Sequence, residues 1–259
     1  MKISGRSGAL NRRAALAAVA LGCHAALGGN PAADQLVAKG DAEVAAMHPD
    51  AGLALFEQAA KADPNDPEIL LRLSQQYSNL IANAKTPAEA EGFARRSLED
   101  AKQAEALAPE NAKAHLAVAV AYGRLADFED NRSKLEDSRQ VKAEADKTLQ
   151  LDPKEDYAYH VLGRWNYAVA TLNPVLKLLA KYIYGGMPDA SLEAAVQDYQ
   201  KAIALAPQRV IHHYEIARAY LALGRKGDAR KEWEIELKLK PEDNESLNDQ
   251  KQARQELAK

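Results

Sequence analysis

The residues best able to do chemistry are few and scattered. The chain carries six histidines and one cysteine. His212 and His213 are adjacent, so on a helix they point about 100° apart and cannot close on one ion. His48, His115 and His160 stand without a partner at metal-ligand spacing, and a structural or surface role is expected of each. One thiol, Cys23, builds neither a disulfide framework nor a cysteine zinc site. Carboxylates are abundant, but runs such as Glu232, Glu234 and Glu236 read as solvated helix-face charges. No glycine-rich phosphate loop, Gly-x-Ser-x-Gly elbow or His-Glu-x-x-His helix occurs. Catalysis requires a preorganised cluster, so no catalytic residue, metal or cofactor is expected. Binding is the chemistry that remains. Arg164, Trp165, Tyr167, Lys177, Tyr214 and Arg218 form the candidate set. Guanidinium groups beside aromatic faces suit an acidic or carboxylate-bearing partner.

Those residues need elements to bring them together, and the composition favours helix. Ala and Leu carry most of the apolar fraction, while the strand-forming β-branched residues are sparse. Five segments end alike, at Pro64, Pro109, Pro153, Pro207 and Pro241, each an Ala- or Leu-rich turn meeting a residue that cannot continue a helix. The last spacing is 34 residues, the period of tetratricopeptide helix pairs. The final unit follows that pattern: Ile216-Ala217, Tyr220 and Leu223-Gly224 on a first helix, then Ala229, Trp233 and Pro241 on a second. Leu162-Gly163 with Ala195, Tyr199 and Pro207 repeats it. Small residues let paired helices approach, and the aromatic fills the gap.

The spacing predicts helices over about 34–47, 50–62, 67–84, 88–107, 111–127, 131–151, 155–172, 174–184, 189–205, 209–223, 226–239 and 243–257. The fold class is all-α: a tetratricopeptide-like solenoid of about five hairpins spanning 34–259, an α-α superhelix with an inserted helix and a C-terminal capping helix. Arg164, Tyr167, Tyr214 and Arg218 then fall on the first-helix positions that face the concave side. The insert, about 174–184, is broadly apolar through Val175, Leu176, Leu178, Leu179, Tyr182 and Ile183. It reads as a lid over a hydrophobic groove, or more plainly as a helix filling a widened gap between repeats. A protein or peptide partner follows from the solenoid, with a lipid or other hydrophobic ligand under the insert as the alternative. The net charge of −3 offers no basic excess, and nucleic acid is not expected.

Residues 1–33 read as a targeting segment ahead of the fold. No acidic residue occurs there; Arg12-Arg13 precede the apolar run Ala14–Leu21, and small residues follow. That order is a basic region, a short apolar region and a cleavage zone. It predicts export to a periplasm or the outside, with a lipid anchor at Cys23 as a further expectation. A mitochondrial presequence or a cytoplasmic arm is the alternative.

The repeats are interrupted in a particular way. Leu70-Leu71-Arg72-Leu73 opens an early helix, and Tyr159-His160-Val161-Leu162-Gly163-Arg164-Trp165-Asn166-Tyr167 forms a later one. The apolar insert follows, then Pro188-Asp189-Ala190-Ser191. In this the chain resembles the regulator of microtubule dynamics family over most of residues 34–250. The resemblance implies a scaffold fold, with microtubule association and organelle-linked roles in eukaryotic members. An exported bacterial chain would keep the fold and change the partner.

Overall fold

The computed structural model describes residues 30–186 and 189–259, and the export reading of residues 1–29, with Cys23, lies outside them. Twelve α-helices and no strand occur among the described residues. They are α1 (Pro31–Ala45), α2 (Pro49–Ala62), α3 (Pro67–Leu80), α4 (Pro87–Leu107), α5 (Ala112–Leu125), α6 (Asn131–Leu151), α7 (Asp156–Ala170), α8 (Pro174–Tyr184), α9 (Leu192–Leu205), α10 (Val210–Ala222), α11 (Lys226–Glu236) and α12 (Asn244–Leu257).

Local chemistry sets the ends. Five helices start with proline in the first turn, where its missing N–H costs nothing. Asp66, Asn111, Asp130, Asn173 and Ser191 accept backbone N–H groups as N-caps. Asp63, Ala108, Asp152 and Ala206 stand just before the repeated prolines with φ of −143°, −137°, −134° and −137°. The proline ring excludes helical backbone from the residue before it, so four second helices stop in the same way.

Four boundaries lie three or four residues from expectation, at the start of α1, the end of α3, the start of α9 and the end of α11, and two of them have a clear cause. Helix α1 begins at Pro31 rather than at residue 34: the Asn30 side chain caps it and donates to the Ala62 carbonyl at 2.9 Å, and Ala33 is buried. Helix α11 stops at Glu236 rather than 239. There the α12 side chain Gln250 donates to the carbonyls of Glu236 and Leu239, both at 2.9 Å, in place of further helix.

The helices pair as five hairpins, α1/α2, α3/α4, α5/α6, α7/α9 and α10/α11, with each second helix also touching the next first helix. Helices α3, α5, α7 and α10 are successive neighbours, forming the inner row of the solenoid. Close approach depends on small residues. A Cβ on Gly163 would lie 2.7 Å from the ring of Tyr199, and one on Gly40 would lie 2.5 Å from that of Phe56. Tyr199 and Phe56 are buried. Helix α8 leaves the row and rests on α6. Its Ala180 is buried, while Val175, Leu178 and Tyr182 are 71%, 68% and 88% exposed. No described helix is long and apolar enough to cross a membrane.

Candidate functional site

The inner row encloses a groove of about 490 Å³, lined by Arg72 and Gln75 of α3, Lys113 and Val120 of α5, Tyr157 of α7 and Arg209. Gln75, Val120, Arg164 and Arg218 each follow the small residue of their first helix, after Ser74, Ala119, Gly163 and Ala217. The repeat therefore projects this position toward the concave side in four consecutive hairpins. Gln75 and Val120 line the open groove; Arg164 and Arg218 lie further along the row.

Around Glu215 of α10 the candidate residues gather. Arg218 donates to both Glu215 oxygens at 3.0 and 2.9 Å, and Arg164 reaches the same carboxylate at 4.0 Å. The Arg218 guanidinium lies 5.3 Å from the Tyr167 ring centre and 5.8 Å from that of Tyr214. Four of the six candidates thus share one cluster. Trp165 does not join it: it is buried in the core between α5, α6 and α7 and donates from Nε1 to the Ser138 carbonyl at 2.7 Å. Adjacent residues on a helix face different ways, which separates Trp165 from Arg164. Lys177 also stands apart, donating to the Ala170 carbonyl at the end of α7.

Helix α12 covers this cluster. The Tyr214 hydroxyl donates to Gln252 Oε1 at 2.7 Å. Arg124 of α5 donates from Nη1 and Nη2 to the two oxygens of Glu245, 121 residues away, at 3.0 and 2.5 Å. Burial alone would raise the Glu245 carboxyl, but the Arg124 guanidinium outweighs it and holds the carboxyl below its ordinary value. Residues 242–245 share a small cavity with Val44, Met47, Pro49 and Gln76, so the start of α12 reaches the first two hairpins. The expected cap is therefore also an occupant of the concave face.

The seam beneath α12 holds acids with no counterpart. Glu236, expected on a solvated face, is fully buried with neither carboxyl oxygen hydrogen-bonded, and one Asp249 oxygen is likewise buried without a partner. Burial first, then the nearby Asp249 charge, pushes the Glu236 carboxyl up to about 8. Burial and the charges of Glu245 and Glu215 push Asp249 up to about 7. The polar stretch around Glu236 conceals this in the sequence, because the residue that covers it lies on another helix.

A second cavity, about 240 Å³, lies between α5, α6 and α7, with Leu135, Val141, Val161, Trp165 and Val169 on its walls and Arg124 and Arg164 at its rim. No residue of α8 lines it, so the insert is not its lid.

The histidines are tied into the repeats. His115 Nε2 meets the Pro109 carbonyl at 2.8 Å, and its Nδ1 faces Glu144 at 2.7 Å and Glu105 at 3.2 Å. His213 repeats this with the Pro207 carbonyl at 3.0 Å and Glu232 at 2.8 Å. Tyr159 stands at the same position, its hydroxyl donating to the Pro153 carbonyl at 3.3 Å. Each lies six residues after its proline, a spacing that makes these clamps readable in the sequence; their carboxylate partners, 19 and 29 residues downstream, are not. The ligand atoms of Glu105, His115 and Glu144 lie within 4.8 Å of one another, the one such group of three among the described residues. Burial opposes a charge on His115, but the Glu144 and Pro109 hydrogen bonds and the charges of Glu144 and Glu105 together outweigh it and raise the imidazole pKa. A shared proton accounts for that geometry without an ion.

His160, expected to stand alone, meets His212 across 52 residues at 3.1 Å, and His212 in turn reaches Asp156 at 2.8 Å. With His212 Nε2–H donating to Asp156, its Nδ1 accepts from His160, leaving His160 Nε2 as a bare lone pair with no partner. Burial and the neighbouring His212 hold His160 well below the usual histidine range. Both imidazoles are therefore neutral core groups.

The family model described as regulator of microtubule dynamics protein 1-3 matches residues 31–259. The chain belongs to this family. It is 30% identical over 167 residues to regulator of microtubule dynamics protein 3 of Xenopus laevis, covering 62% of the chain and 35% of that protein. The mouse protein of the same name is 29% identical over 186 residues, 71% of this chain and 39% of that one. The chain thus spans little more than a third of these relatives' length. Among solved structures, a thermophilic TPR protein of Thermus thermophilus superposes with a TM-score of 0.66 at 21% identity, covering 88% of this chain and all of that one. That likeness agrees with the hairpin solenoid.

Proposed function

We propose that this chain is a non-catalytic repeat scaffold that binds a protein partner along its concave groove. The observation that carries the reading is the groove itself: successive hairpins contribute one continuous lining of mixed charge and apolar surface. The names of the relatives support a regulatory scaffold, and a microtubule-related partner enters as the family's implication only. To test it, the purified chain is immobilised beside a variant carrying Gln75→Trp and Lys113→Glu, and both are used to recover partners. Gln75 is exposed, so the bulk fills the groove without disturbing the core. Loss of the recovered proteins in the variant is expected; equal recovery removes the groove from the account.

A second reading rests on the 240 Å³ apolar cavity with Arg124 and Arg164 at its rim, which suits a hydrophobic ligand with an anionic end. Native mass spectrometry on gently purified protein tests it, and a chain that stays empty with added phospholipid rejects it. Export remains part of the proposal. A cut before Asn30 leaves the α1 cap intact, so a mature N-terminus near residue 28 or a lipidated Cys23 supports it, and an intact Met1 overturns it.

A further inference from the structure

We propose that α12 and the turn before it are an internal ligand of the concave groove, occupying the place that an acidic helical segment of a protein partner takes when α12 swings out. The proposal deepens the groove-binding reading and rests on it for the partner, though not for the internal contact. Three observations carry it.

The first is where α12 sits. A plain cap would touch the last hairpin only. Here Glu245 is gripped through both oxygens by Arg124, three hairpins back, and residues 242–245 reach the cavity beside α1 to α3. Gln252 takes the Tyr214 hydroxyl at the other end of the helix. These contacts lie on the inner row, which is the surface a ligand would use.

The second is the chemistry of the occupant. Residues 241–250 contain Glu242, Asp243, Glu245 and Asp249 and no base. The inner row answers with Arg124, which lines the groove, and with Arg164 and Arg218 further along it, from three successive first helices. Glu215 holds Arg164 and Arg218, while Arg124 takes its carboxylate from α12. If α12 left, Arg124 would lose that counter-charge, so a segment offering another acid would compete for it.

The third is the quality of the seam. Of the four most buried residues of α12, only Ala253 is apolar; Ser246, Asp249 and Gln250 are polar. Glu236 and Asp249 lie buried with oxygens unpartnered. Such groups oppose tight closure and suit a contact that opens. The charged groups facing the seam are Glu215 from α10, Glu236 from α11, Arg164 from α7, Arg124 from α5, Asp243 at the α12 N-cap, and Glu245, Asp249 and Arg254 from α12 itself.

The test uses the full chain and a synthetic peptide of residues 240–259. Hydrogen exchange of residues 244–257 is measured in wild type, Glu245→Lys, Arg124→Glu and the charge-swapped double variant. Each single change is expected to speed exchange there by about ten-fold or more, with α3 to α9 unchanged, and the swap is expected to restore most of the protection. Fluorescent peptide is then titrated at low salt: Glu245→Lys should capture it, wild type should not, and Arg124→Glu should not despite its freed helix. Unchanged exchange in both single variants overturns the proposal. So does a freed α12 with no peptide capture in Glu245→Lys, capture by wild type as strong as by Glu245→Lys, or equal capture by Arg124→Glu. If Arg124→Glu unfolds the chain, shown by lost protection in α3 to α9, Arg124→Gln replaces it as the single variant, with the same expected exchange and no peptide capture, and the swap is omitted. Equal partner recovery by the groove-filling variant, which removes the groove-binding reading, leaves this result intact, because no natural partner enters the measurement.

Discussion

The seam between α7 and α9 and the seam under α12 solve the same problem with opposite materials. At the first, Gly163 gives up its side chain so that the ring of Tyr199 fits the gap, packed mainly on apolar neighbours, with His160 edge-on to it and one Asn166–Asp198 hydrogen bond further along the seam. At the second, a helix of mean polar character settles on Ala253, two side-chain amides and a group of carboxylates. Apolar closure has no direction and no alternative partner, so it persists. Polar closure is specific but replaceable, because another acid or amide can make the same bonds. The difference separates the parts of the solenoid built to stay together from the part able to exchange.

The largest effect that would sharpen this contrast is at Tyr199. Tyr199→Ala empties a fully buried site and should cost about 3–5 kcal/mol in chemical denaturation. Tyr199→Phe should be close to neutral or slightly stabilising, since the hydroxyl is buried without a partner. A large loss in the Phe variant would show that the seam depends on polarity after all. Next is Glu236. Its folded pKa is raised above the unfolded one, so the folded state binds the extra proton. Its stability is full below the unfolded value and is lost as pH rises through about 8. Glu236→Gln should therefore stabilise by roughly 1–3 kcal/mol at about pH 8.5 and have little effect at about pH 4.5.

Asp249 follows the same sign through about 7, so exchange of α12 amides, corrected for intrinsic rate, should slow as pH falls from about 8 to about 5.5. Glu245 runs the other way. Its lowered carboxyl keeps its contribution until pH falls below the ordinary glutamate range, outside that window. Exchange that is flat or faster on acidification would break the polar account of this seam. The smallest effect is expected on α8, where Leu178→Lys on the exposed face should change stability by about 0.5 kcal/mol or less.

How much of this can be read from the sequence follows from distance along the chain. The hairpins are legible because their signals are local: a proline closing each second helix, and a small residue facing an aromatic within one unit. Four of the six candidates gather in one cluster for the same reason, since Arg164 and Arg218 hold one repeat position, though none of the six lines the open groove. Trp165 belongs to the core instead, because a single residue step turns a side chain by about 100°. Arg124 escapes the pattern, being one turn past the position that the repeat marks and bonded to a residue 121 further on. Glu236 and His160 look like surface residues beside their neighbours in sequence. Only the packing of a distant helix makes them core groups.

The curl that lets residues 242–245 meet the first hairpins also alters how the stack comes apart. An open array of repeats behaves as a line: its ends fray first, and damage at one end is felt only by the next unit. Here the turn before the last helix lines one cavity with the first two hairpins, which draws the line toward a loop. Melting of the first hairpin and of the last helix should then be more closely coupled than in an open array.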